Sequence, residues 1–258
     1  MKAAIIIPAR YASTRLPGKP LLAETRKPLI QHTYEQALKS KRASSVLVAT
    51  DDARIADAVK AFGGDAAITH SSHETGSARI AEAAGALDAD IIVNLQGDEP
   101  EIDPAHIDRV IELAANHDAF AATLVCAFPH AAQSGHGSPD DPSAVKAILG
   151  ARLKDDAYEA KYFTRHITPY PRGADGAIAE PEKYYLHLGI YAFARENLLS
   201  FARAPAGALE RAEKLEQLRI LEGGGRIVAG VVSEAAPGID TREDYDAFVR
   251  REAARGVG

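Results

Sequence analysis

The stretch IIIPARYASTRLPGKPL, Ile5 to Leu21, joins two incompatible kinds of residue. Three isoleucines and Pro8 form a short apolar run, and Arg10, Arg15 and Lys19 follow on a loop of small residues with one glycine, Gly18. A run that is apolar throughout, instead of alternating, is the pattern of a strand buried on both faces of a parallel sheet. Two more runs share that pattern, VLVAT (Val46–Thr50) and DIIVNLQ (Asp90–Gln96). Between the runs, Leu29 to Lys39, Ala53 to Phe62 and Ser77 to Leu87 have helical spacing. Strand and helix therefore alternate, which predicts right-handed βαβ units in a doubly wound, mostly parallel sheet of Rossmann-like type. Ligands of such sheets collect outside the carboxyl ends of the strands. PARYASTRLPGK, TDD and QGDEP follow the three strands directly and should share one crevice.

Further along, Ile107 to Ala114 reads as a helix, and Ala121 to Phe128 as a strand. The Gly-, Ser-, Pro- and Asp-rich segment His130 to Pro142 reads as an exposed loop. Val145 to Leu149, Tyr184 to Phe193 and RIVAGVV read as strands. Glu210 to Leu221 reads as one helix ended by Gly223, Gly224 and Gly225, and Thr241 to Arg251 as a last helix whose Thr241 and Asp244 have capping-box spacing. The 258 residues are read as a single α/β domain with a smaller lobe inserted at about 130–205.

Composition excludes several classes. With 30 Lys and Arg against 36 Asp and Glu, the net charge of −6 argues against a nucleic-acid partner. Local cations must then meet local anions. Cys126 is the only cysteine, so no disulfide within the chain and no cysteine zinc site is expected. No segment approaches the roughly 20 apolar residues of a membrane span, and no signal-peptide core is evident, so the expected location is cytoplasmic.

The loop with Arg10, Ser13, Arg15, Gly18 and Lys19 has the cations, and the glycine that allows close backbone approach, to hold a polyphosphate. It is neither a Walker A loop nor a GxGxxG fingerprint, and a solvated basic loop would read the same. Asp98 and Glu99, after the third strand, have the hard oxygens that Mg²⁺ takes together with substrate phosphates. Asp240 offers a distant carboxylate that could equally be a helix cap. His187 sits in a strand with Tyr185, Gly189 and Tyr191 and faces either a pocket or the core. Glu213, Glu216 and Gln217 share a face of the expected helix, which a solvated surface with ion pairs from Lys214 and Arg219 also explains.

Together, IPARYASTRLPGKPL, TDD, HETGSARIAEA, VNLQGDEP, YFTRHITPYPR, LHLGIYAF, LERAEKLEQLR and GIDTREDY resemble the 3-deoxy-manno-octulosonate cytidylyltransferases in order over nearly the whole chain. The resemblance implies a nucleotidyltransferase fold with a smaller dimerisation and sugar-binding lobe. It implies Mg²⁺-dependent transfer of CMP from CTP to an acidic 2-keto sugar, for lipopolysaccharide biosynthesis, by a homodimer. It assigns Arg10, Ser13, Lys19 and Gln96 to CTP, and Asp98 and Asp240 to the metal, with Lys19 acting beside them in catalysis. Arg15, Arg79, Gln96, Arg165, Tyr185, His187, Glu213 and Gln217 fall on the sugar side. Two positions depart from the family pattern: Ala78 stands where an acid is usual in SGTDR, and Ser143 where an Asn is usual. A related sugar such as an 8-amino-octulosonate or a nonulosonate, or a non-catalytic nucleotide-binding homologue, therefore remain alternatives.

Overall fold

The chain is described from a computed structural model covering residues 1–12, 15–73, 75–173 and 176–255. Its backbone divides into two units, residues 1–108 with 236–258, and residues 109–235.

In the first unit, strands β1 (Ala3–Ala9), β2 (Ala43–Thr50), β3 (Ala66–Ile68) and β4 (Ile91–Asn94) lie in the order β3-β2-β1-β4. Every pairing among them is parallel. Ile5, Ile6 and Ile7 of β1 are fully buried, as are Ile92 and Val93 of β4, which is why these runs carry no polar alternation. Helices α1 (Leu29–Ala37), α2 (Ala53–Ala61) and α3 (Gly76–Ala84) make the crossovers. Asp52 caps α2 by accepting from Arg54 N, and Thr75 caps α3 by accepting from Ala78 N. These elements match the alternation read from sequence; the three-residue edge strand β3 and a single 3-10 turn at Lys19–Leu21, within the segment read as a loop, were unforeseen.

Helix α4 (Pro104–Asn116) spans the residues where the units divide. The second unit holds β5 (Ala121–Ala127), β6 (Lys146–Arg152), β7 (Ala157–Thr164), β8 (Tyr185–Ala194) and β9 (Ile227–Val232), with helices α5 (Arg195–Arg203), α6 (Ala208–Glu213) and α7 (Leu218–Glu222). The strand order is β8-β5-β9-β7-β6, and β6 pairs again with β8, so the pairings form a closed ring. Only β5 and β9 run parallel; the other pairings are antiparallel. The last helix, α8 (Arg242–Arg255), returns to the first unit.

The single helix expected from Glu210 to Leu221 is in fact two. Lys214 ends α6 in the left-handed conformation, with φ 56°, so Glu213, Glu216 and Gln217 do not lie along one helical face. The cause is a set of tertiary bonds. Glu210 and Arg219 form a buried pair at 2.6 Å, where sequence suggested a surface one, and the Glu222 carboxylate accepts from Ala208 N and Leu209 N at the start of α6. These bonds fold α7 back on α6 at the expense of one continuous helix.

Candidate active site

At the carboxyl end of β1 the chain enters the cationic loop. Gly18 has φ 68°, a left-handed conformation that a side chain would resist, and its N–H donates to Tyr11 O at 3.2 Å to close the turn. The guanidinium of Arg54, at the start of α2, stacks 3.4 Å from the centroid of the Tyr11 ring. Leu16 is packed into a cluster with Leu29, Ile239, Tyr245 and Phe248, which anchors the loop to the segment before α8. The carboxyl end of β4 runs into Gln96, Gly97 and Asp98. A Cβ on Gly97 would stand 3.2 Å from both Pro8 O and the Ile30 side chain, so glycine lets this turn cross the end of β1 closely.

These segments enclose a cleft of about 300 Å³, lined by Ala9, Arg10, Arg15, Lys19, Gln96 and Asp98 among others. Lys19 Nζ donates to Asp98 Oδ2 at 2.6 Å and to Ile239 O at 2.7 Å, and stands 3.7 Å from Asp240 Oδ1. Arg15 Nη2 reaches Asp240 Oδ1 at 2.9 Å. Ile239 N donates to Asp98 O at 2.9 Å, so a backbone clasp carries Asp240 to the β4 turn. Asp240 is not the helix cap that its position also allowed. Thr241 and Asp244 form the capping box, with Thr241 N donating to Asp244 Oδ2 at 2.9 Å and Asp244 N to Thr241 Oγ1 at 3.2 Å. Relieved of capping, the Asp240 carboxylate turns to the cations.

Glu99, next to Asp98, is half-buried. Burial, then the charges of Asp98 and Asp240, push its carboxyl up to about 8 against the opposing pull of Lys19. The site thus concentrates negative charge around one ammonium. Among the described residues no group of three or more His, Cys, Asp and Glu could hold a metal by itself. Two aspartates converging on one cation, all hard oxygens, nonetheless fit Mg²⁺, which takes one or two carboxylates and completes its shell with water and substrate phosphates. Asp98 and Asp240 are the residues able to hold it.

The other sequence-selected residues fall in two places. Ser13 lies outside the described residues. Arg79, on α3 in the first unit, is fully buried; it donates to Thr69 Oγ1 at 2.5 Å and to Asp51 Oδ2 at 2.9 Å and does not line the cleft. Arg79, assigned by resemblance to the sugar side, is thus held against Asp51 of the TDD segment, with no exposed surface of its own.

Arg165, Tyr185, His187, Glu213 and Gln217 belong to the second unit. Glu213 accepts from Thr164 Oγ1 at 2.6 Å and from Arg165 N at 3.0 Å, and Arg165 Nε donates back to Glu213 O at 2.8 Å. Lys146, fully buried, donates to Arg165 O at 2.7 Å and Asp141 O at 2.8 Å. Burial lowers the pKa of this lysine, partly offset by Asp141, Asp140 and Glu213. The Phe163 ring meets His187 edge-on, 4.9 Å between centroids, and burial pushes the His187 imidazole down to about 3, which keeps it neutral near pH 7. Tyr185 lies two residues before His187 on the same face of β8. Gln217 is buried and immediately precedes α7.

Ser143, one of the two departures, has a structural partner: its N–H and hydroxyl donate to Asp141 Oδ1 at 2.8 and 2.6 Å. Sequence reading missed the Ile239 carbonyl and Lys146. A backbone acceptor carries no residue-type signal, and Lys146 sits in DPSAVKAI, where a surface lysine would read the same.

A parallel α/β unit with a cationic loop and facing aspartates at its strand ends defines a nucleotide-handling transferase. Residues 4–227 match the family model described as cytidylyltransferase. The chain is 48% identical to a 3-deoxy-manno-octulosonate cytidylyltransferase of Rhodopirellula baltica, over 97% of this chain and 98% of that one. It is 42% identical to an 8-amino-3,8-dideoxy-manno-octulosonate cytidylyltransferase of Shewanella woodyi, over 95% and 96%. A solved CMP:2-keto-3-deoxy-manno-octonic acid synthetase complexed with CTP superposes with a TM-score of 0.87 at 40% identity, covering 99% of this chain and 100% of that one. The chain belongs to the 3-deoxy-manno-octulosonate cytidylyltransferase family and is a nucleotidyltransferase. Among the described residues no helix is long and apolar enough to cross a membrane.

Proposed function

We propose that this protein transfers the CMP portion of CTP to the anomeric hydroxyl of 3-deoxy-manno-octulosonate and releases pyrophosphate, in the supply of lipopolysaccharide sugar, as a cytoplasmic homodimer. The observation that carries the reading is the meeting of Asp98 and Asp240, remote in sequence, on Lys19 in the cleft beyond β1 and β4.

Attack on the α-phosphorus of a nucleoside triphosphate needs two anions to be positioned and charge to be neutralised as pyrophosphate departs. Arg10 and Lys19 line the cleft and supply that neutralisation. Gln96 offers an amide that orients the nucleotide; its Nε2 donates to Asn94 Oδ1 at 3.0 Å. Arg15, already paired to Asp240, is a cation for the sugar carboxylate. Mg²⁺ at Asp98 and Asp240 would supply charge neutralisation and a lowered pKa for the attacking hydroxyl. Arg165 and Glu213, locked to each other, and neutral His187 offer the donors and acceptors of a polyhydroxy acid site. The described residues need supply no covalent nucleophile for this chemistry, and Cys126 is unsuited to be one because burial pushes its thiol up to about 11.

Pyrophosphate release tests the reading, with CTP, Mg²⁺ and a panel of 3-deoxy-manno-octulosonate, its 8-amino analogue and a nonulosonate. Turnover should be largest with 3-deoxy-manno-octulosonate and vanish with EDTA. Preference for the 8-amino sugar would move the assignment to the activity named for the Shewanella relative. Calorimetric CTP binding without release from any sugar would make the chain a nucleotide-binding homologue.

A further inference from the structure

Strand β8 does not run evenly against β5. Thr123 lies opposite Tyr191, but the next pair is Leu124 opposite Leu188, so Gly189 and Ile190 bulge without partners on β5. Fully buried Thr123 lies at this bulge. Its Oγ1 stands 2.8 Å from Ile190 O, 3.3 Å from Leu188 O and 3.1 Å from His187 Nε2.

A hydroxyl has one hydrogen to give and two lone pairs to receive. Two carbonyls and an unprotonated Nε2 compete to accept that hydrogen, and Ile190 O is the nearest of the three. The buried Tyr191 hydroxyl also lies beside Thr123, and as a neutral phenol it can donate to the second Thr123 lone pair and leave that hydrogen in place. With its hydrogen on Ile190 O, Thr123 meets His187 with a lone pair, which pairs with a protonated Nε2. In a neutral imidazole the other nitrogen is then bare. Among the described residues His187 Nδ1 has no hydrogen-bond partner, and it is not one of the polar atoms sealed from solvent.

We propose that Thr123 is a positioning residue that fixes His187 as the Nε2–H tautomer, so that Nδ1 accepts a hydrogen bond from a hydroxyl of the acidic sugar. The role at the sugar rests on the proposed function; the tautomer does not. The arrangement also selects chemically. An Nδ1 acceptor favours a substrate group that donates, and it disfavours a carboxylate or phosphate oxygen at that point. The Phe163 ring, edge-on to the imidazole, restricts its rotation, so the acceptor is held in one direction.

Nitrogen-15 correlation spectra of the histidine rings at neutral pH read the tautomer directly, with His187 assigned by the signal lost in His187→Gln. The wild-type chain should show the Nε2–H pattern. Thr123→Val, nearly isosteric, should lose it or give a mixture, and Thr123→Ser should retain it. Kinetically, Thr123→Val should raise KM for the sugar about five- to tenfold, the effect of one hydrogen bond, with KM for CTP within about twofold of wild type, and Thr123→Ser should restore the sugar KM. Unchanged amide spectra away from β5 and β8 would show that the valine variant is folded. An Nδ1–H or mixed wild-type signal would overturn the proposal, as would a Thr123→Val enzyme with the wild-type tautomer and wild-type sugar KM. A clean Nε2–H signal in a chain that turns over no sugar would instead sink the proposed function while the tautomer stands.

Discussion

Around Lys19 in the first unit, the side chains of Asp98, Asp240 and Arg15 keep 30%, 51% and 64% of their surface exposed. In the second unit, Lys146 keeps none, and the Glu210–Arg219 pair keeps 10% and 13%. Both clusters are charged, but their charges do different work. The first cluster is hung on strand ends and loops, holds its carboxylates close enough to add to the burial that raises the pKa of Glu99, and leaves its cations within reach of a ligand. The second is woven through the backbone: Glu213 holds Arg165, Lys146 holds the carbonyls of Asp141 and Arg165, and Glu222 caps α6. Chemistry and stability are therefore separable in the first cluster and coupled in the second, because a solvated charge can be removed with small loss whereas a buried one leaves its partners unsatisfied.

The largest effect that could break this contrast is at Asp98. Asp98→Ala should lower pyrophosphate release by on the order of 10³-fold if, as proposed, Asp98 and Asp240 hold the cation, since it removes half of that carboxylate pair. Lys19 would keep Ile239 O and Asp240, so the urea midpoint should stay near that of wild type. A large loss of stability, or retained turnover, would show that the cluster is structural.

Next is Glu213→Ala, which should act on both properties. Thr164 Oγ1 and Arg165 N would lose their acceptor, costing about 1–3 kcal/mol in denaturant unfolding. The sugar KM should rise about tenfold or more as the Arg165 backbone loses the carboxylate that holds it, while KM for CTP changes little. An unchanged unfolding curve would remove the coupling inferred for this unit.

The smallest effect sharpens the contrast by pH. Burial of Asp141 works to raise its pKa, but hydrogen bonds from Ser143 and Gly137 and the nearby His136 outweigh it and hold the carboxyl down to about 2. A depressed folded pKa gives stability that is complete above the unfolded value near 3.8 and is lost as pH falls toward 2. The contribution is about 2 kcal/mol at neutral pH. In Asp141→Asn the unfolding free energy should fall less steeply than in wild type between about pH 4 and 2. Parallel curves for the two proteins would refute the assignment.

The elements of the first unit were legible because each of its core strands is an unbroken apolar run followed by a polar turn, and a strand buried on both faces leaves no other pattern. The second unit was less legible. Strand β7, AYEAKYFT, has two lysine or glutamate side chains in its middle and carries no clear run, and α6 and α7 share one helical pattern that is broken only by bonds to residues elsewhere. Candidate groups could be named from residue type, and the capping box at Thr241 and Asp244 could be read from spacing.

By itself, then, the amino-acid order determined the βαβ alternation, the cationic loop after β1 and the acidic turn after β4, since burial on both faces and turn chemistry are local properties that residue types state directly. Tertiary structure alone decided which carboxylates meet. Asp240 reaches Lys19 because Ile239 is packed against Leu16 and bonded to the Asp98 backbone, Arg79 is withdrawn to Asp51, and Thr123 reaches His187 through a bulge. Each of these contacts joins segments far apart along the chain, and the free energy that brings them together comes from packing that no local pattern records.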